Sequence, residues 1–334
     1  MENITVLAVD AGGTGCRAAL CNGNGQLLAY AQGNSCNYHS IGSEKATENL
    51  LLLFTALAKK QPLPINCVVL GLAGLDTKKD EMALTSIVKQ ALADAKITTD
   101  AIHLCNDAVL TLKGSIGRNN GVLIAAGTGS IACGITKEGL ETRVGGWGYL
   151  VGDEGSGYSI GKAAIMHALK SYDGREKPSG LSMAILKELS CAHEEDLVQW
   201  VYSSRFSVAQ VAALTPSIVR LAEEGDKQAE KIIWRACHEL ENMANTVIKK
   251  LDLLTAETSL ILTGGVLKNL FIRRQLMKQL TDTYQGLQVL DLSGPPICAG
   301  LRYGLMRMGI DQEPLLRQLA AQLQSFFFAE PAGN

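Results

Sequence analysis

The sequence predicts an α/β protein of two domains, and three observations lead to this fold class. The chain has 334 residues, which at about 150 residues per domain corresponds to two domains. Short β-like runs alternate with stretches of helical periodicity along the chain. A strand, a glycine-rich turn and a second strand open the chain and occur again after residue 121. Each half therefore begins with the same element, and two domains would leave a cleft between them.

The first half combines strands and helices that are separated by turn signals. The predicted elements cover residues 5–10, 17–21, 27–31, 43–60, 67–70, 78–93 and 102–105. The hairpin sequence Asn22-Gly23-Asn24-Gly25 joins the second strand to the third. Ser43 is a candidate N-cap for the helix over 43–60, and Asp76 is a candidate cap for the helix over 78–93.

A polar, glycine-bounded turn at residues 117–121 marks the domain boundary. After it we expect strands at 122–126, 131–135, 260–262 and 289–290 and a helix over 268–280. We also expect a long helical stretch over 156–250 with polar breaks near 172–178, 191–193 and 224–226. Helices from about residue 297 would pack back against the first domain. The predicted division is therefore 1–118, 119–296 and 297–334.

Composition excludes several classes of protein. Lys and Arg number 31 against 33 Asp and Glu, which gives a net charge of −2. This balance removes the electrostatic argument for a nucleic-acid binder or for a basic membrane surface. Hydrophobic residues make up 47% of the chain, as expected for a folded globular protein.

Targeting and redox signals are weak in this sequence. Residues 1–9 lack a basic segment, and Asp10 comes too soon for a secretory signal. We therefore expect a soluble, cytoplasmic protein without a membrane span. A homodimer is expected as well. The nine cysteines are odd in number and contain no Cys-x-x-Cys motif, which predicts reduced, buried thiols and no thiolate metal site.

Three glycine-rich turns follow β-like strands and predict a nucleotide site. They are Gly12-Gly13-Thr14-Gly15, Gly127-Thr128-Gly129 and Gly264-Gly265. Glycine lets backbone N–H groups approach an anion closely, and threonine adds a hydroxyl donor. Two such turns facing one another would bind the two ends of a polyphosphate.

Other nucleotide motifs fit less well. The spacings Gly13-x-Gly15-x-x-Ala18 and Gly127-x-Gly129-x-x-Ala132 satisfy the dinucleotide fingerprint, but strands follow both turns where that motif requires a helix. A phosphate-binding P-loop also fails, because Ala163 follows Gly161-Lys162 where a serine or threonine is needed.

Two aspartates stand at the ends of predicted strands. Asp10 could hold hydrated Mg²⁺ beside the nucleotide phosphates, or it could only cap a turn. Asp107 could face the cleft or serve as the N-cap of a short helix, and one carboxylate can do both.

Residues 145–157 form the most distinctive stretch of the chain. They contain six glycines, the aromatic residues Trp147 and Tyr149, and the adjacent acids Asp153 and Glu154. An aromatic face and carboxylates suit the C–H face and the hydroxyls of a sugar, so this stretch predicts a binding loop.

With these motifs the sequence resembles the BadF/BadG-type ATPases of the sugar kinase/Hsp70/actin superfamily, and in particular their N-acetylglucosamine kinase-like members. The resemblance covers residues 6–304. It rests on Asp10-Ala-Gly-Gly-Thr-Gly, Asn106-Asp107-Ala, Ala126-Gly-Thr-Gly-Ser, Gly145-Gly-Trp-Gly, Gly152-Asp-Glu-Gly-Ser and Thr263-Gly-Gly. It implies two ribonuclease-H-like domains, each a mixed sheet with flanking helices, that close on ATP and a sugar.

The resemblance also assigns roles to residues. It implies that the nucleotide phosphates meet Asp10, Gly13, Thr14, Gly127, Thr128 and Gly129, with Asp10 also at Mg²⁺. Gly264 and Gly265 would lie at adenosine. Asp107 would be the catalytic base, and the sugar would contact Asn37, Asp107, Gly146, Trp147 and Asp153.

The implied activity is an ATP-dependent hexosamine kinase that phosphorylates N-acetylglucosamine at O6. The segment Ser35-Cys-Asn-Tyr-His39 departs from the animal members, so glucosamine, N-acetylmuramate and N-acetylmannosamine stay open as acceptors. A rival hypothesis is an ATPase activator of a radical dehydratase, which needs paired thiolates for an iron–sulfur cluster at a dimer interface. A sugar-responsive regulator without catalytic activity is a third possibility.

Overall fold

The protein divides into two compact units in a computed structural model that describes residues 4–13, 15–60, 64–254, 257–292, 294–311 and 313–329. Unit 1 combines residues 1–119 with 291–334, and unit 2 consists of residues 120–290. Over the ranges described, no helix has both the length and the apolar character needed to cross a bilayer.

The described strands form two sheets. They are β1 (Thr5–Ala11), β2 (Gly15–Asn22), β3 (Leu27–Asn34), β4 (Ile65–Leu72), β5 (Thr99–Cys105), β6 (Gly121–Ala126), β7 (Ser130–Ile135), β8 (Glu141–Gly145), β9 (Thr258–Thr263) and β10 (Leu287–Val289).

The helices are distributed over both units. They are α1 (Tyr38–Ile41), α2 (Ser43–Lys60), α3 (Lys78–Asp94), α4 (Asp107–Ile116), α5 (Gly157–Tyr172), α6 (Gly180–Glu188), α7 (Glu194–Val201), α8 (Val208–Ala212), α9 (Thr215–Glu223), α10 (Lys227–Lys250), α11 (Gly265–Lys268), α12 (Leu270–Thr283), α13 (Pro296–Arg307) and α14 (Glu313–Ala329).

The two sheets have the same strand order. Unit 1 is ordered β3-β2-β1-β4-β5 and unit 2 is ordered β8-β7-β6-β9-β10. In each sheet the first three strands along the chain pair antiparallel, and the last two add in parallel. The predicted α/β class with mixed sheets is confirmed, and the short sequence repeat extends to the whole sheet.

Alternating side chains of β1 enter two different cores, as the period of a strand requires. Leu7 and Val9 point into the core that α2 and α3 cover. Val6 and Ala8 point to the opposite face, where they join residues of α13 and α14. Gly304 of α13 comes so close to the sheet that an added Cβ would lie 2.3 Å from Cγ1 of Val6. The C-terminal helices therefore belong to unit 1.

Several local expectations differ from the structure. The helical stretch over 156–250 consists of the six helices α5 to α10, and the three expected breaks fall between α5 and α6, between α6 and α7, and between α9 and α10. The two further breaks, at 202–207 and 213–214, were not expected. Strand β8 and the short helix α1 were not expected. Thr77, and not Asp76, is the N-cap of α3, because its hydroxyl accepts from the Asp80 N–H while the Asp80 carboxylate reaches back to Thr77. All nine cysteines are free thiols, eight of them buried.

Candidate active site

The carboxyl ends of β1, β4 and β5 meet at one edge of the unit 1 sheet. Asp10 of β1 is in register with Gly71 of β4, which is in register with Cys105 of β5. Asp107 follows two residues later as the first residue of α4. A Cβ at Gly71 would lie only 3.2 Å from the Asp107 Cα, so the helix rests closely on this edge of the sheet.

Asp107 is not the N-cap of its helix. Asn106 has that role, because its side-chain Oδ1 accepts from the Ala108 N–H at 3.0 Å. One oxygen of Asp107 lies at the same distance from that N–H group. The alternative that Asp107 serves as the N-cap of its helix is therefore wrong.

The environment of Asp107 favours its protonated form. Burial, together with the negative charges of Asp10 and Asp76, outweighs the backbone hydrogen bonds and raises the pKa of Asp107 to about 6. A carboxylate with that pKa can both accept and release a proton near neutral pH.

Asp10 can offer oxygen ligands to a cation. Its carboxylate pairs with Arg17 at the long distance of 3.7 Å. Burial raises the pKa of Asp10 while the Arg17 charge lowers it. Carboxylate oxygen is the ligand type that Mg²⁺ prefers, and the group is partly accessible, so the residue fits the predicted metal role.

The glycine turn after β1 leaves open space in front of its backbone. A Cβ at Gly13 would meet no atom within 4 Å, so packing within the protein does not require glycine there. The Gly13 carbonyl accepts from the Ser35 hydroxyl at 3.0 Å, which ties the turn to the segment after β3. Thr14 lies outside the described residues.

Asn37 lies on that same segment and reaches the loop after β4. Its Oδ1 accepts from the His39 N–H at 3.1 Å, and a Cβ at Gly74 would lie 2.8 Å from the same oxygen. The next two residues are held by Asp80: Tyr38 donates its hydroxyl hydrogen to that carboxylate, and Nε2 of His39 lies 3.1 Å away.

The buried Asp80 carboxylate therefore binds both the segment after β3 and the loop after β4. Burial would raise its pKa, but hydrogen bonds from Tyr38 and Thr77 outweigh burial and lower the pKa of Asp80 to about 2. Its carboxylate is thus ionised at neutral pH and fixes the segment that carries Asn37.

In unit 2 two of the glycine turns lie side by side. Strands β6 and β9 are parallel, with Ala125 in register with Thr263, so the turns that follow them share one edge of the sheet. Gly264 has a φ of +97°, and a Cβ there would lie 2.3 Å from the Ala126 carbonyl oxygen. A Cβ at Gly127 would lie 3.7 Å from the Gly265 nitrogen.

The turn at Gly127–Gly129 is fixed by the start of α5. Gly157 N–H donates to the Gly127 carbonyl at 2.8 Å, and Tyr158 N–H donates to the Thr128 carbonyl at 3.3 Å. The buried Asp153 lies against the same turn, since its Oδ2 would be 2.7 Å from a Cβ at Gly129. Asp153 adopts a φ of +60°, a conformation that its surroundings must hold in place.

The loop over 145–157 presents Trp147 to solvent. Gly145, Gly146 and Gly148 all have positive φ, which bends the backbone around the tryptophan. The Trp147 side chain is 59% exposed, and the Arg143 guanidinium lies 4.9 Å from its ring centroid. Arg143 thus lies over one face of the ring, and the exposed remainder of Trp147 is available to a ligand.

The structure thus places the candidate residues in two groups. Unit 1 carries Asp10, Gly13, Asn37 and Asp107, and unit 2 carries Gly127, Thr128, Gly129, Gly146, Trp147, Asp153, Gly264 and Gly265. Sequence reasoning assigned no site role to Asp80, Asn106 or His39, although Asn106 and His39 stood in quoted segments. The T-x-x-D capping box at Thr77 was a readable signal for Asp80.

Two mixed five-stranded sheets of the same order, each with flanking helices and a glycine turn after its first strand, define the fold shared by actin-like ATPases and sugar kinases. Residues 7–294 match the BadF/BadG/BcrA/BcrD ATPase family. The chain belongs to this family.

Named relatives cover most of the chain. It is 33% identical to an N-acetyl-D-glucosamine kinase of Dictyostelium discoideum over 89% of this chain and 96% of that protein. It is 30% identical to an N-acetylmuramic acid/N-acetylglucosamine kinase of Clostridium acetobutylicum, over 86% of this chain and 94% of that protein. A Chromobacterium violaceum structure, provisionally described as an N-acetylglucosamine kinase, is 27% identical with a TM-score of 0.71, covering 91% of this chain and 99% of that one.

Proposed function

We propose that this protein is an ATP-dependent kinase of amino sugars, and that it phosphorylates N-acetylglucosamine at O6. The observation that carries the proposal is Asp107, a carboxylate with a pKa near 6 at the first position of α4. The similarity to curated amino-sugar kinases supports the substrate class.

The chemistry assigned to Asp107 is general-base catalysis. Its carboxylate accepts the proton of the sugar hydroxyl while that oxygen forms a bond to the γ-phosphorus of ATP. The bond between this phosphorus and the β–γ bridging oxygen breaks, and ADP leaves with the electron pair. Phosphoryl transfer depends mainly on positioning and on charge stabilisation, so the protein's contribution is to hold the hydroxyl and to take its proton.

The nucleotide is assigned to the glycine turns. Gly127, Thr128 and Gly129 would bind phosphates through backbone N–H groups and the threonine hydroxyl, and Gly264 and Gly265 would lie at adenosine. Gly13 and Thr14 complete the phosphate contacts in this proposal. Asp10 would hold Mg²⁺, which when bound offsets negative charge on the phosphates.

The sugar is assigned to Asn37, Gly146, Trp147 and Asp153 in addition to Asp107. Asn37 supports this role because Asp80 fixes its segment. Trp147 supports it because the residue is 59% exposed, with Arg143 over one face of its ring. The contact of Asp153 with Gly129 makes this carboxylate a candidate link between sugar and phosphate binding.

An ADP-release assay coupled to NADH oxidation tests the proposal across N-acetylglucosamine, glucosamine, N-acetylmuramate and N-acetylmannosamine. We expect the highest kcat/KM with N-acetylglucosamine, and ³¹P NMR of the product to show a phosphate on O6. A higher kcat/KM for another amino sugar would correct the substrate. Absence of sugar-dependent ADP release with all four would overturn the function.

The pH dependence of the reaction follows from Asp107. A general base works only when it is deprotonated, so kcat/KM should fall as pH drops below a midpoint of about 6. An unperturbed aspartate would give a midpoint near 3.9. Initial rates between about pH 5 and pH 8, at low sugar and saturating ATP, measure the midpoint; a flat profile over this range would contradict the assignment.

Trp147→Ala should raise KM for the sugar about tenfold and leave KM for ATP within about twofold, because only sugar stacking is lost. Trp234 provides a matched control, since it is also in unit 2, is 51% exposed and stacks on His238. Trp234→Ala should change neither constant. Equal effects of the two substitutions would remove Trp147 from the sugar site.

A further inference from the structure

A buried amide links Asp107 to a second carboxylate in unit 1. Asn106 donates from Nδ2 to Oδ1 of Asp76 across 3.3 Å. The other end of the same amide accepts from the Ala108 N–H in the first turn of α4. Asn106 is only 7% exposed. Both ends of its side chain are therefore fixed, one on Asp76 and one on the helix that begins with Asp107.

Asp76 is itself held in place. Its backbone N–H donates to Oδ2 of Asp80 at 3.1 Å, and Thr77 donates to the same oxygen at 2.7 Å. Asp80 is buried at the start of α3. The Asp76 carboxylate thus projects from a fixed backbone, and it can fix Asn106 in turn.

We propose that Asp76 is a positioning residue for Asp107: through Asn106 it holds the helix terminus that orients the Asp107 carboxylate towards the sugar hydroxyl. The inference rests on the proposed function, in which Asp107 is the base. Misplacement of a reacting group by about 1 Å can cost up to about 10²-fold in rate, so such a contact matters although Asp76 need not touch the substrate.

Charge gives Asp76 a second effect on Asp107. The groups that act on Asp107 from neighbouring elements are Asp10 of β1, which pairs with Arg17 of β2, and Asp76 in the loop after β4. On α13, which packs against α4, Arg302 donates to carbonyls in the last turn of α4, at the opposite end from Asp107. Removing the Asp76 charge should therefore lower the pKa of Asp107 and leave Asp10 as the remaining raising charge.

Two alanine variants test the hydrogen-bonded link. Asp76→Ala and Asn106→Ala should each lower kcat at pH 8 on the order of tenfold and leave KM for ATP within about twofold. Because the residues act through one another, the double variant should be no slower than the slower single variant. Additive losses would show that the two side chains act independently.

Asp76→Asn separates charge from hydrogen bonding. Its amide oxygen can still accept from Asn106, so kcat at pH 8 should stay within about twofold of the wild-type value. Without the charge, the acid limb of kcat/KM should move to lower pH, and the activity at pH 5 relative to pH 8 should rise about two- to threefold. A purely structural role would not move this limb. If Asp76→Ala does not fold, kcat of Asn106→Ala at pH 8 decides whether the hydrogen-bonded link positions Asp107.

Asp100→Ala is the matched control. It removes a second amide–carboxylate pair, in which Nδ2 of Asn66 lies 3.0 Å from Oδ2 of Asp100. Both residues lie near the starts of β4 and β5, at the end of the sheet away from Asp107. It should change neither kcat nor the pH profile. If Asp107→Asn abolishes activity while Asp76→Ala keeps wild-type kcat and Asp76→Asn keeps the wild-type limb, the positioning role is wrong and the proposed function stands. If Asp107→Asn stays active, the proposed function itself fails.

Discussion

Replacement of Asp107 by asparagine should lower kcat for sugar phosphorylation by about 10²- to 10⁴-fold, the usual contribution of a general base. The amide has nearly the same shape, so the close contact between α4 and Gly71 is preserved. It cannot accept the hydroxyl proton, and the loss should therefore appear in kcat at every pH between about 5 and 8. Initial rates at saturating sugar and ATP measure it.

Binding measurements separate this loss from a folding defect. The Kd for ATP, measured by isothermal titration calorimetry, should stay within about threefold of the wild-type value, because the nucleotide is assigned to other residues. Asp100→Asn, near the start of β5, the strand that precedes Asp107, should keep full activity. A drop in kcat of less than about tenfold for Asp107→Asn would show that the carboxylate is not the base.

Gly264→Ala should be the most damaging single-methyl change in the glycine turns. With a φ of +97° and a ψ of 160°, Gly264 occupies a region that is essentially restricted to glycine. The added Cβ would also lie 2.3 Å from the Ala126 carbonyl oxygen, so the end of β6 must shift. We expect a loss of about 2–4 kcal/mol in the free energy of unfolding.

Thermal unfolding and ATP binding together test this expectation. A loss of this size lowers Tm by roughly 5–15 °C for a domain of the length of unit 2, and displacement of the neighbouring Gly127 turn should weaken ATP binding at least about tenfold. Gly265→Ala is the matched control, because a Cβ at Gly265 would meet nothing within 4 Å. This variant should leave Tm nearly unchanged. Equal stability of the two variants would show that the close approach is unimportant.

The sheets were largely predictable from local patterns. Buried runs such as residues 67–70 and 122–126 consist of apolar residues that only a covered strand accommodates, and Asn22-Gly23-Asn24-Gly25 has the composition of a hairpin turn. Strand β8 was not predicted because it is an edge strand with no apolar alternation. Its residues Glu141, Thr142 and Arg143 are at least partly exposed.

The site was predictable only where one motif carries the chemistry. Asp10 is followed by a glycine turn and Asp107 is preceded by Asn106 at the end of a predicted strand. Their position at the carboxyl ends of strands therefore followed from the sequence. The Asp76–Asn106 contact joins residues thirty positions apart, and it exists only because β4 and β5 are adjacent and parallel. No local pattern encodes such a pairing. Asp76 was even assigned a capping role that Thr77 fills.

The return of α13 and α14 to unit 1 determines the order in which the chain can fold during synthesis. One face of the first sheet is only partly covered, by α4, until residues near Leu301 and Leu319 have left the ribosome, because these side chains complete its core. All of residues 120–290 is synthesised before them and has its own core. Unit 2 can therefore fold while unit 1 still exposes apolar surface, and that interval is when the nascent chain is most open to aggregation and to chaperone binding.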